Sequence, residues 1–377
     1  MLKARPSYKH CAPTELDPFC TKSGSNRMNA KETKRLSLKA GAIQRRAVNR
    51  PSVSSRPVDC FSSNDYLPLV VQANSGAPDL VEWAKEHAAM LERELLRHGA
   101  ILFRGFGIDR AERFESFASV FCDDLFGENG EHPRQSISGH VYTPVFYPPD
   151  KQLLWHNENS FNHQWPMKIW FGCTTAPQQG GETSVTDSRR VFDLIDPTIR
   201  QRFIEKNVMY VRNYQDGLGL DWQTVFQTTD KGEVEEQCRK ASIDYEWKNG
   251  DGLVTRCVRQ AVAAHPKTGD LVWFNQAQHW HPSCLDCEVR ESLNALFKEE
   301  DLPRHCYYGD GTVIEDEVMN SICDVYRELE TAAPWQPGDV LMLDNMLTAH
   351  GRNPYTGERK LLVAMGEMYE EVTSLSL

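Results

Sequence analysis

The sequence predicts a β-sandwich or jelly roll carrying helical additions, mainly β with an α+β character. Three features point there. Short apolar strands recur along most of the chain, Gly- and Pro-containing turns separate them, and amphipathic helical stretches are interposed among them. The 377 residues are 40% hydrophobic and 25% charged, enough apolar material for a sizeable core. Length alone permits two domains, and one large β-rich domain with insertions fits equally well. We expect residues 1–60 to be a flexible basic extension and residues 61–377 to be the folded domain, with a helical insertion near residues 215–250.

The elements follow in order. Leu80, Trp83, Ala84, Ala88, Leu91, Leu95 and Leu96 recur at helical spacing, and Gly99 stops the run. Residues 100–106 form a buried strand and a short helix covers 110–122. Residues 169–174 are strand-like, Gly180-Gly181 is a turn, and Thr183 opens another strand. One helix is expected over 190–206 and a strand over 208–214. Residues 221–243 are a polar insertion of helical character. His265-Pro-Lys-Thr-Gly-Asp270 turns between two strands. Residues 338–344 and 361–365 complete the set as short apolar strands.

Charge is unevenly spread. Residues 1–50 carry twelve Lys/Arg against three Asp/Glu, and with a formal total of −11 the rest carries about −20. Nucleic-acid binding is disfavoured, because no stacking aromatics interleave with the basic leader and the acidic body repels phosphate. Pro6, Pro13 and Pro18 break any early amphipathic helix, which weakens a mitochondrial-targeting reading. No stretch approaches the roughly 18 consecutive apolar residues of a spanning helix. Eleven cysteines, an odd count, suit reduced thiols better than a disulfide framework. The expected compartment is cytoplasmic, with a small-molecule substrate and neither membrane nor nucleic-acid partners.

Chemistry concentrates in two places. Trp155-His156-Asn157-Glu158-Asn159 contains a His-x-Glu pair, and in an extended segment both side chains share one face. Imidazole plus carboxylate is two thirds of a two-His, one-carboxylate facial triad, which suits iron(II). Standing alone, the pair reads equally as a surface ion pair. The second place is Asp344-Asn345-Met-Leu-Thr-Ala-His350-Gly-Arg-Asn-Pro-Tyr-Thr-Gly-Glu-Arg359. Here a histidine ends an apolar strand, a turn follows, and an arginine able to grip a carboxylate bidentately begins the next strand.

The order His-x-Glu, Gly-Gly-Glu-Thr, then His-Gly-Arg and a further Arg resembles the taurine dioxygenase and clavaminate synthase superfamily. The nearest branch is the syringomycin-type amino-acid hydroxylases of natural-product pathways. Gly180-Gly-Glu-Thr-Ser-Val-Thr-Asp-Ser-Arg189, Val211-Arg-Asn-Tyr214, His265-Pro-Lys-Thr-Gly-Asp270, Val272-Trp-Phe-Asn275 and Trp335-Gln-Pro-Gly-Asp-Val-Leu-Met-Leu-Asp-Asn345 match as well, so the resemblance spans roughly residues 95–370. It implies a double-stranded β-helix (jelly roll) enzyme using Fe(II), 2-oxoglutarate and dioxygen. It implies that His156, Glu158 and His350 ligate iron and that Arg359 and Thr183 bind the distal carboxylate of 2-oxoglutarate. The implied outcome is hydroxylation, desaturation or oxidative ring closure at an aliphatic carbon of a small amino acid or a derived intermediate, free or carried on a carrier protein.

Two departures from the family refine this. Glu158 stands where many members have Asp, which favours the clavaminate synthase side and disfavours a halogenase. Val363 stands where taurine dioxygenase has a second arginine, which disfavours sulfonates. Asn157 and Asn159 are expected to orient the ligand they flank or to touch substrate, and Arg212 and Tyr142 to touch substrate, with Arg104 and Asn275 as further candidates. His279, His281, Cys284 and Cys287 also have the residue types of a zinc site. Alternatively, His279 or His281 lies in a loop at the active-site mouth, or the group simply packs. The rival functions are a non-catalytic jelly-roll binding protein and a dioxygenase of some non-amino-acid small molecule.

Overall fold

The computed structural model describes residues 57–62, 67–126, 135–214, 219–248 and 250–370. Most of the extension expected over residues 1–60 lies outside the described residues. Its end needs correcting, because Val58–Ser62 is strand β1, paired antiparallel with β2 (Leu69–Ala73). A five-residue edge strand draws its order from that ladder, so its own sequence carries little signal.

The largest sheet has eight strands in the order β1, β2, β3 (Ala100–Arg104), β16 (Val340–Asp344), β7 (Gln164–Thr175), β19 (Lys360–Glu370), β5 (Val141–Tyr142) and β4 (Ser136–Ser138). Its central strands are apolar on both faces because both faces are covered. Ile101, Phe103, Trp170, Val340, Met342, Leu362 and Ala364 meet helices α1 (Leu80–His98) and α2 (Ala111–Ala118) on one side. The alternate residues Leu102, Ile169, Phe171, Leu341, Leu343, Leu361, Val363 and Met365 face the interior, together with Val185.

Helix α1 begins and ends where local chemistry dictates. The Asp79 carboxylate accepts from Val81 and Glu82 N–H, and Gly99 takes a left-handed conformation (φ 73°) with its N–H on the Leu95 carbonyl. The helix expected over 190–206 is two helices, α3 (Ser188–Leu194) and α4 (Pro197–Lys206). Asp196 caps the second, and Pro197, which has no N–H to give a preceding turn, sits at its start.

A three-stranded sheet, β6 (Leu153–His156), β17 (Thr348–Arg352) and β9 (Thr183–Asp187), lies across the interior from the large sheet. Trp155 and Ala349 pack behind it with α3, α7 (Ala277–Trp280) and α9 (Asp316–Leu329). The hairpin β8 (Gln179–Gly180) with β18 (Tyr355–Thr356), and the pair β13 (Val262–Ala264) and β14 (Leu271–Trp273), are small additions. A separate sheet contains β11 (Asp244–Trp247), β12 (Leu253–Arg259), β10 (Val208–Tyr214) and β15 (Arg304–Tyr308). Between β10 and β12 the chain forms α5 (Trp222–Phe226), α6 (Lys231–Lys240) and β11, and α8 (Cys287–Leu296) precedes β15. Helices occupy nearly as much of the described chain as strands do, so "mainly β" understates them.

Arg104 is not placed as a ligand-binding group. Its guanidinium pairs with the buried Asp339 carboxylate (2.7 Å) and donates to the Pro334 carbonyl (2.7 Å), tying the segment before β16 to the end of β3. Removing one member of such a pair strands a buried charge. We therefore expect Arg104→Ala to lower unfolding free energy by about 3–5 kcal/mol in urea titrations, while the Michaelis constant for 2-oxoglutarate stays near that of the parent protein.

Candidate metal centre and anion site

The register of β17 assembles the centre. His350 lies opposite His156 of β6 on one side and opposite Val185 of β9 on the other, so the three side chains share the interior face. The two imidazole centroids are 4.4 Å apart. Glu158 follows in the turn after β6, with a carboxylate oxygen 3.7 Å from His156 Nε2. One ligand atom from each of His156, Glu158 and His350 lies within 4.8 Å of the others. Glu158 and His350 are buried and His156 is nearly so. Among the described residues no other group of three such side chains comes together. His156 Nδ1 meets the Leu154 carbonyl at 2.9 Å, and a carbonyl can only accept, so Nδ1 carries the proton. Nε2, on the side facing Glu158, is the nitrogen available to a metal. Two imidazoles and a carboxylate suit a borderline divalent metal such as iron(II).

The surroundings hold this arrangement. The Phe171 ring stands 5.2 Å from that of His350. His279 packs edge-on against His156 (4.8 Å) and reaches the same Leu154 carbonyl (2.9 Å). Asn345, to which the sequence reading assigned no role, accepts from Glu158 N–H (2.7 Å) and donates to the carbonyls of Glu158 (2.9 Å) and Pro166 (2.8 Å). The only hint of it in the sequence is an amide inside an otherwise apolar strand-to-strand connection. Of the two roles expected for Asn157, its contacts match support of the ligand segment. It is fully buried, with its side-chain amide donating to Ser188 Oγ (3.1 Å) and the Asn345 backbone carbonyl (2.7 Å), while Gln276 donates to the Asn157 backbone carbonyl (2.7 Å).

One two-residue step along the same face stands a cationic group. Arg352 lies opposite Thr183, and Thr183 borders a cleft lined also by Val185, Leu102, Leu341 and Trp335. The Arg352 guanidinium is spent on the Pro148 (2.7 Å) and Pro149 (3.0 Å) carbonyls. Arg359 comes alongside Gly181, whose carbonyl accepts its Nε–H at 2.8 Å. Gly181 has φ 72°, and a Cβ there would fall 3.1 Å from Arg359 Cδ, so this close approach requires glycine. Burial, and then the neighbouring Arg352, push the Arg359 pKa down to about 10. Among the described residues no carboxylate forms an ion pair with it. A desolvated guanidinium beside a like charge is chemically suited to bind an anion.

The remaining expectations separate. Tyr142 is buried opposite Val363, which is itself opposite Phe171, so its row runs along the interior face toward His350. Asn159 is buried with φ 58°. Arg212 is buried on β10, opposite Arg304, with its guanidinium over the Tyr214 ring. Asn275 is corrected to a structural role, donating to the Ala261 carbonyl and accepting from Ala277 N–H. The zinc reading also falls. His281 is held by Ser283 and the Ile314 carbonyl, and burial lowers its pKa. Cys284 lies 3.8 Å from Cys323, and Cys287 is exposed on α8. Spacing alone had not revealed that these side chains diverge.

Known proteins match this chain over most of its length. The family model described as "Taurine catabolism dioxygenase TauD, TfdA family" matches residues 64–365. The dapdiamide synthesis protein DdaC of Enterobacter agglomerans is 38% identical over 317 residues, 84% of this chain and 93% of DdaC. A clavaminate synthase-like protein of Arabidopsis thaliana is 28% identical, covering 85% and 92% of the two chains. Among solved structures, PvcB of Pseudomonas aeruginosa shares the fold with a TM-score of 0.50 at 16% identity, over 84% of this chain and 93% of PvcB. The chain therefore belongs to the TauD/TfdA family and is an Fe(II)- and 2-oxoglutarate-dependent dioxygenase.

Proposed function

We propose that His156, Glu158 and His350 hold the Fe(II), that Thr183 and Arg359 receive the distal carboxylate of 2-oxoglutarate, and that the substrate is a small amino acid or amino-acid-derived intermediate of natural-product biosynthesis. We read the two facing sheets as the double-stranded β-helix of this family. The observation that carries the site is a buried His–Glu–His cluster with Thr183 one strand step along β9 from Val185, the residue opposite His350, and with Arg359 near Arg352, the residue opposite Thr183. Two residues of strand span roughly 7 Å, about the reach of a five-carbon dicarboxylate chelated at its keto-acid end.

When bound, iron and 2-oxoglutarate supply oxidative decarboxylation and a strong oxidant for an unactivated C–H bond. The protein's own part is placement. The Leu154 carbonyl fixes the His156 tautomer, and Phe171 with the apolar interior row excludes water from the His350 side. Arg359 gives the co-substrate one binding direction, because its charge is relieved only by an anion.

Three features support the substrate class. DdaC is named for the synthesis of dapdiamide. Val363 is buried between Tyr142 and Phe171, which makes that position apolar where a sulfonate clamp would need charge. The body of the chain is acidic, which tolerates an ammonium group. We assign Asn159 and Tyr142 to the substrate side of the centre and Arg212 to a substrate carboxylate, the substrate being free or carrier-bound. We place the enzyme in the cytoplasm. Among the described residues no helix is long and apolar enough to cross a membrane.

Three experiments test this reading. Anaerobic addition of Fe(II) and 2-oxoglutarate should produce the weak visible charge-transfer band of a chelated keto acid, absent in His156→Ala and His350→Ala. An unchanged band in both variants removes those residues from the site. Arg359→Ala should raise the Michaelis constant for 2-oxoglutarate by about two orders of magnitude or more, since stranding one buried charge costs about 2–5 kcal/mol. Thr183→Ala should act in the same direction more mildly, through a contact contributing about 1.5–3 kcal/mol. For the substrate, a panel of free and carrier-bound amino acids is scored for succinate formation. A true substrate raises succinate above the uncoupled rate, with matching product that has gained one oxygen or lost two hydrogens. Stimulation only by terpenoids, alkaloids or fatty acids would overturn the amino-acid assignment while leaving the iron site intact.

A further inference from the structure

Two sides of the His156–Glu158–His350 triangle have an evident origin. Strand pairing sets His156 against His350, and two residues of chain separate His156 from Glu158. The third side, Glu158 to His350, has no strand ladder behind it, because Glu158 lies in the turn beyond β6, before Asn159 with its positive φ. That side is closed by Asn345. Its amide engages both the N–H and the carbonyl of Glu158 and also reaches Pro166 at the start of the long strand β7. Asn345 stands five residues before His350, so one side chain references the carboxylate to the strand that carries the second imidazole.

Asn345 is in turn held from behind. One oxygen of Asp344 accepts from Met346 and Leu347 N–H (3.0 and 2.9 Å), which shapes the turn between β16 and β17. The other meets His265 Nε2 at 3.1 Å. His265 Nδ1 accepts from Lys267 and Thr268 N–H, so Nε2 carries the proton and donates to Asp344. His265, Asp344 and Asn345 are all buried. The His265-Pro-Lys-Thr-Gly-Asp270 turn is thereby joined to the centre.

We infer that Asn345 is a positioning residue for the Glu158 carboxylate, and that the buried His265–Asp344 pair keeps Asn345 in place. This rests on the reading of Glu158 as an iron ligand. The long glutamate arm makes the role more demanding, since any tilt of its backbone is carried through to the carboxylate oxygens. The groups orienting a metal ligand typically contribute 10–100-fold to metal affinity.

The test uses the full-length apoprotein and Co(II) alone, whose visible absorption reports both affinity and coordination without turnover. Asn345→Ala should weaken Co(II) binding by about 10–100-fold and change the spectrum, with far-UV circular dichroism retained. Asn345→Asp, which keeps the acceptor for Glu158 N–H and loses both donor contacts, should fall between it and the parent. His265→Ala should weaken binding in the same direction to a smaller degree. In a Glu158→Ala background Asn345→Ala should add little, because there is no carboxylate left to position. If His156→Ala and His350→Ala bind Co(II) as the parent does, the ligand reading itself is wrong. If they lose it while folded Asn345→Ala keeps the parent's affinity and spectrum, the positioning role is overturned. An equal loss in the Glu158→Ala background overturns it as well, by revealing general loosening. Should Asn345→Ala fail to fold, Asn345→Asp carries the same comparisons.

Discussion

The antiparallel pairing of β17 with β6 and β9 is the constraint on which the site depends. It puts His350 between His156 and Val185 on one face, and a slip of one residue would turn His350 away from the interior. The pairing with β9 runs without interruption over five residues, while the pairing with β6 is irregular beyond His350. The firm side of β17 therefore sets the register, and β6 ends at His156, after which the chain enters the turn that carries Glu158.

The same register distributes charge. His350 and Arg352 are two residues apart on one face, so the His–Glu–His cluster and the nearest cationic side chain on β17 are separated by one strand repeat. Arg352 is satisfied by backbone carbonyls, and Arg359 near it is held on the Gly181 carbonyl with its pKa lowered by burial and by Arg352. The apolar inner row of the large sheet, from Val363 through Phe171 and Leu341 to Leu102, keeps the dielectric low on this side of the interior, which strengthens any electrostatic interaction made there.

Several residues with the right chemistry turn out to be structural. Arg104, Asn157, Asn275 and His281 each direct their polar atoms to backbone or to a single buried partner. Residue type announces what a side chain is able to bind, but burial obliges it to bind whatever lies nearest. The reverse holds for Asn345. Its residue type is ordinary, and its importance comes from the peptide group it faces across 187 residues of sequence.

What the sequence determined by itself was local or chemical in kind. Asp79 and Gly99 bound α1 through capping that involves immediate neighbours only. The apolar runs of β7, β16 and β19 announce strands buried on both faces. The His-x-Glu pair and His350, which the fold brings together, were legible because their residue types match metal chemistry and their order matches a known family, and the same order singled out Thr183 and Arg359 as candidates. Tertiary structure decided the rest. It gave order to β1, which depends on its partner strand, and it chose backbone support for Asn157. It also separated His279, which packs on His156, from Cys287 on the surface. It brought Asn345 and the His265–Asp344 pair to Glu158. The physical reason is common to all of these. Capping and periodicity are governed by residues within one or two turns, whereas the direction of a buried polar side chain is set by partners that only the folded chain brings within reach.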